Sequence, residues 1–159
     1  MKKFNKIIVA CDLSKHSFQA VRHAAELAEN LNAEVVIVNV INQRDYMAVS
    51  ETIAKISAFK NDLHMSAEEY FEEMKEGRAE EINKLIEQAA CKHLVEKIIF
   101  RFGVPFEELI EAVRKEKADM LVMSTKGRSN LSSLLFGSTA ERMFRHCPVP
   151  LLIVRPQNP

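Results

Sequence analysis

The sequence predicts an open parallel α/β sheet flanked by helices, formed by one domain that covers residues 1–159. Short apolar runs rich in β-branched residues alternate with longer stretches in which apolar residues recur every three or four positions. The connections between them are short, which favours parallel strands joined by right-handed crossovers. A chain of 159 residues can bury one core of useful size.

Five apolar runs are the predicted strands. Each is continuous enough to be covered on both faces, as parallel strands usually are. Only Asn39 interrupts the second run, and Pro150 falls at the start of the last one, where an edge strand tolerates it. In chain order the predicted strands are Ile7–Ala10, Val35–Ile41, Ile98–Phe102, Met120–Met123 and Val149–Val154.

The helices are predicted from periodicity and from their start signals. An apolar stripe runs from Phe18 to Leu31. Two pairs, Ser66 with Glu69 and Ser138 with Glu141, have the spacing of a capping box, and Pro105 suits a first helical position. Gly77 is a weak point inside the helix that begins after Ser66. The segment from Asn42 to Leu63 allows a helix but indicates no role.

Charge and cysteine content narrow the class of protein. The 22 Lys and Arg balance the 22 Asp and Glu, so no net positive field attracts nucleic acid. No apolar run is long enough to span a membrane and the N-terminus lacks a signal-peptide core, which predicts a cytoplasmic protein. The three cysteines are widely spaced and are expected in or near the core.

A loop after the fourth predicted strand has the features of a phosphate site. It contains Ser124, Gly127 and, after nine intervening residues, Gly137-Ser138 at a predicted helix start. Free N–H groups and the helix dipole favour an anion there. Lys126 and Arg128 could neutralise phosphate or be ordinary exposed cations, and the remaining small polar residues could bind phosphate or stabilise the turn. Those residues are Thr125, Ser129, Asn130, Ser138 and Thr139.

Other nucleotide and hydrolase motifs are absent from the sequence. The first predicted strand is followed by Ala10-Cys-Asp-Leu-Ser14 instead of Gly-x-Gly-x-x-Gly, and no Gly-x-x-x-x-Gly-Lys-Ser/Thr occurs. Gly-x-Ser-x-Gly is also missing, and the five histidines show no metal-ligand spacing. These absences argue against a Rossmann dehydrogenase, a P-loop NTPase and an esterase.

The series Ser124, Gly127, Gly137-Ser138 resembles the nucleotide loop of the universal stress protein family, in which a glycine stands at the position of Ser124. The likeness includes Lys6–Asp12 and Cys147–Val154 and so covers nearly the whole chain. It implies the Rossmann-like, adenine nucleotide alpha-hydrolase-like fold with strand order 3-2-1-4-5. Ligands in such sheets bind where the strand order reverses, here between strands one and four.

The resemblance also implies a ligand and a partner. ATP or a related adenine nucleotide, with Mg²⁺ as a candidate companion, would lie against Ala10, Cys11 and Asp12 and against the backbone of Val40. Asp12 would bond the nucleoside, although it could instead cap the following helix. Pairing of two chains through Val149–Val154 would give a homodimer.

A regulatory binding module is therefore expected, with no catalytic residue assigned, because nothing in the sequence indicates an activated nucleophile. Two alternatives remain. One is a slow ATP hydrolase or phosphotransferase in which Asp12 holds magnesium or orients water. The other is a dimeric interaction protein that has lost nucleotide binding.

Overall fold

A computed structural model describes residues 3–59, 66–126 and 137–155 of the chain. Its strands are β1 (Lys6–Ala10), β2 (Glu34–Asn42), β3 (Val95–Gly103), β4 (Met120–Ser124) and β5 (Leu151–Val154). Its helices are α1 (Ser17–Leu31), α2 (Gln43–Phe59), α3 (Ala67–Gln88), α4 (Pro105–Lys115) and α5 (Ser138–His146).

The strands form one parallel sheet in the order β3-β2-β1-β4-β5, which confirms the predicted fold class and strand order. The order reverses between β1 and β4, because the chain builds outward from β1 to β3 and then returns to the other side of β1. The carboxyl ends of these two strands therefore border the crevice in which such sheets bind ligands.

Each face of the sheet is covered by its own hydrophobic cluster. One cluster joins the sheet to α1 and α3 through fully buried residues such as Ile7, Val21 and Ile82. The other joins it to α4 and α5 through Ile8, Leu121 and Met143, which are also fully buried. The alternation of Ile7 and Ile8 between the two clusters follows from the two-residue period of a strand. Among the described residues, no helix combines the length and apolarity that crossing a bilayer requires.

The third strand begins earlier than predicted, at Val95 instead of Ile98. The sequence did not predict this start because Glu96 and Lys97, like other charged residues at an edge strand, break the apolar pattern. Both are paired in the structure: Glu96 lies 2.8 Å from Lys6 Nζ and Lys97 Nζ lies 2.8 Å from Glu116. The pairing raises the pKa of Lys6 and lowers the pKa of Glu96, with the hydrogen bond between them as the first cause of each shift.

Two helix starts were predicted as capping boxes, and the structure confirms one of them. The Ser66 hydroxyl accepts the Glu69 N–H, and the Glu69 carboxylate accepts the Ser66 N–H. The box predicted for Ser138 and Glu141 is wrong, because Gly137 is the N-cap and Ser138 is already helical. Glu141 then lies one residue too far along the helix to accept the N–H of the N-cap residue, and its carboxylate pairs with Arg145 instead.

The remaining boundaries agree with the sequence to within a few residues. Strand β5 starts at Leu151, so Val149 and Pro150 precede it, although the Pro150 carbonyl accepts the Leu121 N–H beside β4. The segment whose role could not be predicted forms α2 as far as Phe59. Free Cys11 and Cys91 are buried and Cys147 is partly buried, as expected for small core or near-core residues. Burial raises the pKa of the Cys11 thiol, so it is held in its protonated, unreactive form.

Candidate functional site

A cavity of about 290 Å³ lies at the carboxyl edge of the sheet, where the strand order reverses. Its volume is at the small end of the range usual for ligand sites, roughly 300–1,000 Å³. Five parts of the chain converge on it: the ends of β1, β2 and β4, and the first turns of α4 and α5. These segments are far apart in sequence, so the cavity is a product of the topology.

Nine of the residues selected from the sequence line this cavity. They are Ala10, Cys11, Asp12, Val40, Ser124, Thr125, Gly137, Ser138 and Thr139. Lys126 is described but does not appear among the lining residues. Gly127, Arg128, Ser129 and Asn130 lie outside the described residues, so their predicted contacts with phosphate stay predictions.

The first wall of the cavity is the turn after β1. Asp12 Oδ1 accepts the Ser14 N–H at 3.0 Å and the hydroxyl of Ser17 at 3.0 Å. The N-cap of α1 is His16, so the alternative in which Asp12 caps the helix is wrong. Between these groups Leu13 has a φ of 60°, a conformation that a branched side chain adopts only where the surroundings impose it. The turn therefore holds Asp12 at the cavity in a fixed orientation.

The opposite wall is the junction of β4 and α5. Gly137 donates its N–H to the Thr125 carbonyl at 2.8 Å, and Thr125 donates its own to Val154. These bonds place the start of α5 beside the end of β4. The Arg142 guanidinium lies 4.1 Å from the centre of the Phe106 ring, which fixes α5 against α4.

Among residues 3–59, 66–126 and 137–155, no side chain caps the N-terminus of α5. The N–H groups of the first residues of any helix lack partners within that helix. Ser138, Thr139 and Ala140 belong to this first turn, and all three line the cavity. The predicted capping box is absent, so Ser138 does not satisfy these N–H groups. The sequence predicted an anion site at this helix start, and N–H groups that line the cavity suit one.

The third wall is apolar and was only partly found from the sequence. Val38, Val40, Pro105, Leu109 and Met123 supply it. Of these only Val40 was predicted as a site residue, although Pro105 lies two residues beyond the end of β3 and could have been found by the rule that strand ends line the crevice. Asn42 and Asp45 add polar groups at the end of β2 and the start of α2. Nothing in the unreadable pattern of α2 indicated Asp45.

Ser124 stands where the resembling loop has glycine, and its hydroxyl has a structural partner. The Oγ donates to the Lys126 carbonyl at 2.7 Å, which closes the turn after β4. Ser124 is not among the residues with positive φ, so its backbone conformation does not require glycine. The hydroxyl stabilises the beginning of the loop.

We therefore expect Ser124→Gly to bind adenine nucleotide at least as tightly as the original chain. The glycine loses one hydrogen bond, worth about 0.5–1.5 kcal/mol, but it also lets a ligand approach the backbone more closely. Ser124→Ala is the matched control, since it loses the same bond and keeps the Cβ atom. Calorimetric titration of both variants measures the difference, and a marked loss of affinity in both would identify the hydroxyl itself as a ligand.

The chain is similar to known proteins over nearly its whole length. A model of the universal stress protein family matches residues 3–155. The chain belongs to the universal stress protein family. Among curated members, universal stress protein MJ0531 of Methanocaldococcus jannaschii is 29% identical over 152 residues, covering 96% of this chain and 82% of the relative. MJ0577 of the same organism is 26% identical over 162 residues, covering 98% and 97%.

Solved structures give the same fold. The structure of MJ0577 superposes with a TM-score of 0.78 at 21% identity, covering 99% of this chain and all of the other. A universal stress protein in complex with cAMP superposes with a TM-score of 0.60 at 22% identity, covering 97% and 98%. The universal stress protein of Archaeoglobus fulgidus in complex with dAMP has a TM-score of 0.51 at 15% identity, covering 96% and 98%. At these identities the likeness establishes the fold.

Proposed function

We propose that this universal stress protein binds ATP or a related adenine nucleotide in the crevice between β1 and β4 and acts as a stress-linked regulatory module. The observation that carries the proposal is the N-terminus of α5, which lines a cavity with an apolar wall and has no side-chain cap among the described residues. A nucleotide combines an anionic group with a flat, weakly polar base, and this cavity offers a region suited to each. Two structural neighbours, the complexes with cAMP and dAMP, contain adenine nucleotides.

The base and ribose fit the part of the cavity between β2 and α4. Val38 and Val40 lie on one side of it, and Pro105 and Leu109 belong to the helix on the other. Burying a base between such side chains removes apolar surface from water. Asp12, fixed by Ser14 and Ser17, is a carboxylate acceptor suited to a ribose hydroxyl or a base amine.

The phosphates fit the other end, at Gly137, Ser138 and Thr139. Backbone N–H groups and the positive end of the helix dipole attract anions there. Asp12 and Asp45 line the cavity as well, and their negative charge would oppose a phosphate placed beside them. The charges therefore favour one orientation of the ligand, with its phosphates at α5 and its nucleoside at the ends of β1 and β2.

We infer binding as the main activity, with turnover at most slow. Asp12 is the acid that a hydrolase would use to orient water or hold magnesium, yet its Oδ1 already accepts two hydrogen bonds from the protein. A carboxylate oxygen engaged in this way acts as a structural acceptor more readily than as a base.

Protein purified without added nucleotide tests the proposal directly. We expect ATP or a related adenine nucleotide to be released on denaturation and identified by anion-exchange chromatography. The emptied protein should bind ATP, with and without magnesium, in calorimetric titration. Recovery of ADP together with measurable turnover would support the hydrolase instead. No binding at millimolar ATP would reject the nucleotide site and favour the interaction module.

We further propose that two chains pair through the β5 edge to form a homodimer. Strand β5 contacts β4 on one side only and is an edge of the sheet, and its Leu151, Leu152 and Ile153 are only partly buried. An apolar edge strand with unpaired backbone groups promotes pairing with another chain.

Ile153→Lys should therefore convert the dimer to a monomer, because a charge placed in a paired strand is costly to desolvate. Light scattering at concentrations well above micromolar measures the mass. The control is Met47→Lys, which adds the same charge at an exposed position on α2 and should leave the dimer intact. A monomeric original chain, with Ile153→Lys changing nothing, would contradict the proposal.

A further inference from the structure

A buried polar pair lies behind the cavity, on the face of β2 opposite to Val38 and Val40. Asn39 is completely buried, and its Nδ2 donates to the Cys11 carbonyl at 2.7 Å. Its Oδ1 accepts from Arg78 Nη1 at 3.0 Å. Arg78, on α3, is only 9% exposed. Buried polar groups of this kind are costly unless they are bonded, so the pair is held in one arrangement.

The hydrogen bonds between β1 and β2 show which β2 residues face β1. The ladder includes a bond from the Glu34 N–H to the Asn5 carbonyl at 2.8 Å and one from the Cys11 N–H to the Val38 carbonyl at 2.9 Å. In a parallel sheet, alternate residues of a strand bond to opposite neighbours. The even-numbered residues of β2 therefore direct both backbone groups toward β1. The next bond of this ladder would run from the Val40 N–H to the Cys11 carbonyl.

The Cys11 carbonyl accepts from the Asn39 side-chain amide, and among the residues that the structure describes no backbone bond joins the Val40 N–H to this carbonyl. Strand β1 ends at Ala10, so the N–H and C=O of Val40 point past the end of its neighbour. Val40 itself lines the cavity. The ladder thus stops one bond early at the edge of the crevice.

We propose that Asn39 is a positioning residue that keeps the backbone N–H and C=O of Val40 free to recognise the edge of a base. Arg78 fixes the orientation of the amide: a guanidinium can only donate, so the amide oxygen faces Arg78 and the NH₂ group faces Cys11. The side chain acts through Val40 and does not itself touch the ligand.

This inference rests on the proposed nucleotide binding and adds a specificity to it. A free N–H beside a free C=O is complementary to a base edge with an acceptor beside a donor. Adenine presents that edge with its ring nitrogen and exocyclic amine, whereas a 6-oxopurine presents the reverse order. A site discriminates strongly between two ligands when the wrong ligand leaves the buried polar groups of the site without hydrogen-bond partners. The expected preference is therefore for adenine over hypoxanthine nucleotides.

The first experiment requires no ligand. Amide hydrogen exchange, followed by NMR on the nucleotide-free full chain, should show fast exchange at Val40 and slow exchange at Val36 and Val38, whose N–H groups face β1. In Asn39→Ala the Cys11 carbonyl loses its side-chain donor, and Val40 should become protected as it completes the ladder. Val40 protected as strongly as Val38 in the original chain would overturn the inference, whether or not the protein binds nucleotide.

The second experiment compares ATP with inosine triphosphate by calorimetry. Asn39→Ala should lower ATP affinity at least tenfold and reduce the preference for ATP over inosine triphosphate. Arg78→Met should also lower the ATP affinity and the preference for ATP, because it releases the amide. Arg78→Lys keeps a donor and should therefore retain much of the affinity and preference of the original chain. These two variants decide the question if Asn39→Ala does not fold. An unchanged preference in the folded Asn39 or Arg78→Met variant would overturn the inference.

A matched control separates this role from general destabilisation. Ile37→Val alters another fully buried residue on the same face of β2. It should lower stability while leaving Val40 exchange and nucleotide preference as they are. An original chain that binds neither nucleotide would reject the proposed function, and the exchange experiment would still decide the role of Asn39.

Discussion

Replacing Gly137 with valine is expected to weaken ATP binding at least a hundredfold while the protein stays folded. Gly137 lines the cavity immediately before the N–H groups of Ser138 and Thr139. A branched side chain there would compete with the phosphates for the same space. Its backbone, with φ −70° and ψ 157°, is an extended conformation that valine adopts easily. The loss would therefore come from steric exclusion of the ligand.

Calorimetric titration with ATP and magnesium measures this effect, and chemical denaturation measures the stability. We expect the free energy of unfolding to fall by no more than about 1 kcal/mol, since valine is only a poorer N-cap than glycine. Lys126→Ala serves as the graded comparison, with a loss of about 1 kcal/mol of binding free energy, as expected for a partly solvated cation. Equal ATP affinity in the original chain and in Gly137→Val would show that the phosphates do not lie at α5.

Replacing Gly103 with alanine should destabilise the fold by about 2 kcal/mol. Gly103 ends β3 with a φ of 147°, a region that residues with a side chain rarely occupy. An added Cβ would also lie 2.9 Å from Glu108 Oε1. The Glu108 side chain cannot move away freely, because its Oε2 accepts from Arg101 Nε at 2.6 Å. Backbone strain and a weakened ion pair therefore act together.

Gly77→Ala provides a control of opposite sign. Gly77 lies in the interior of α3, and a Cβ built there meets nothing within 4 Å. Alanine should raise the free energy of unfolding by about 0.5–1 kcal/mol, because it restricts the unfolded chain and favours the helix. Thermal and urea denaturation measure both variants. If Gly103→Ala proved as stable as the original chain, the positive φ at the end of β3 would not be a constraint on the fold.

The fold could be predicted because its signals are local. Apolar runs of four to seven residues mark buried parallel strands, the apolar stripe of α1 marks its inward face, and Pro105 marks the start of α4. The strand order came from a resemblance carried by the loop residues and both ends of the chain. The start of β3 was missed because Glu96 and Lys97 look like loop residues until their partners Lys6 and Glu116 are brought beside them.

The site residues at strand ends could be predicted from the sequence. The lining residues that reach the cavity only through tertiary packing were missed. Asp12 follows β1 and Ser124 ends β4, and the crevice rule assigns such positions to the site. Leu109 and Met123 are ordinary core residues in sequence, and only the approach of α4 to the sheet places them at the cavity. The role of Gly127 to Asn130 stays a prediction.

By itself, the sequence determined the order of strands and helices, the family and the segments that border the crevice. The tertiary structure decided which polar groups are satisfied there. Gly137 replaces Ser138 as the N-cap, and no side chain of the described residues caps the first turn of α5 at the cavity. Asn39, seen in sequence only as an interruption of β2, donates its side-chain amide to the Cys11 carbonyl. Both outcomes depend on hydrogen bonds between residues distant in sequence or on a one-residue shift in a helix start, which local patterns do not fix.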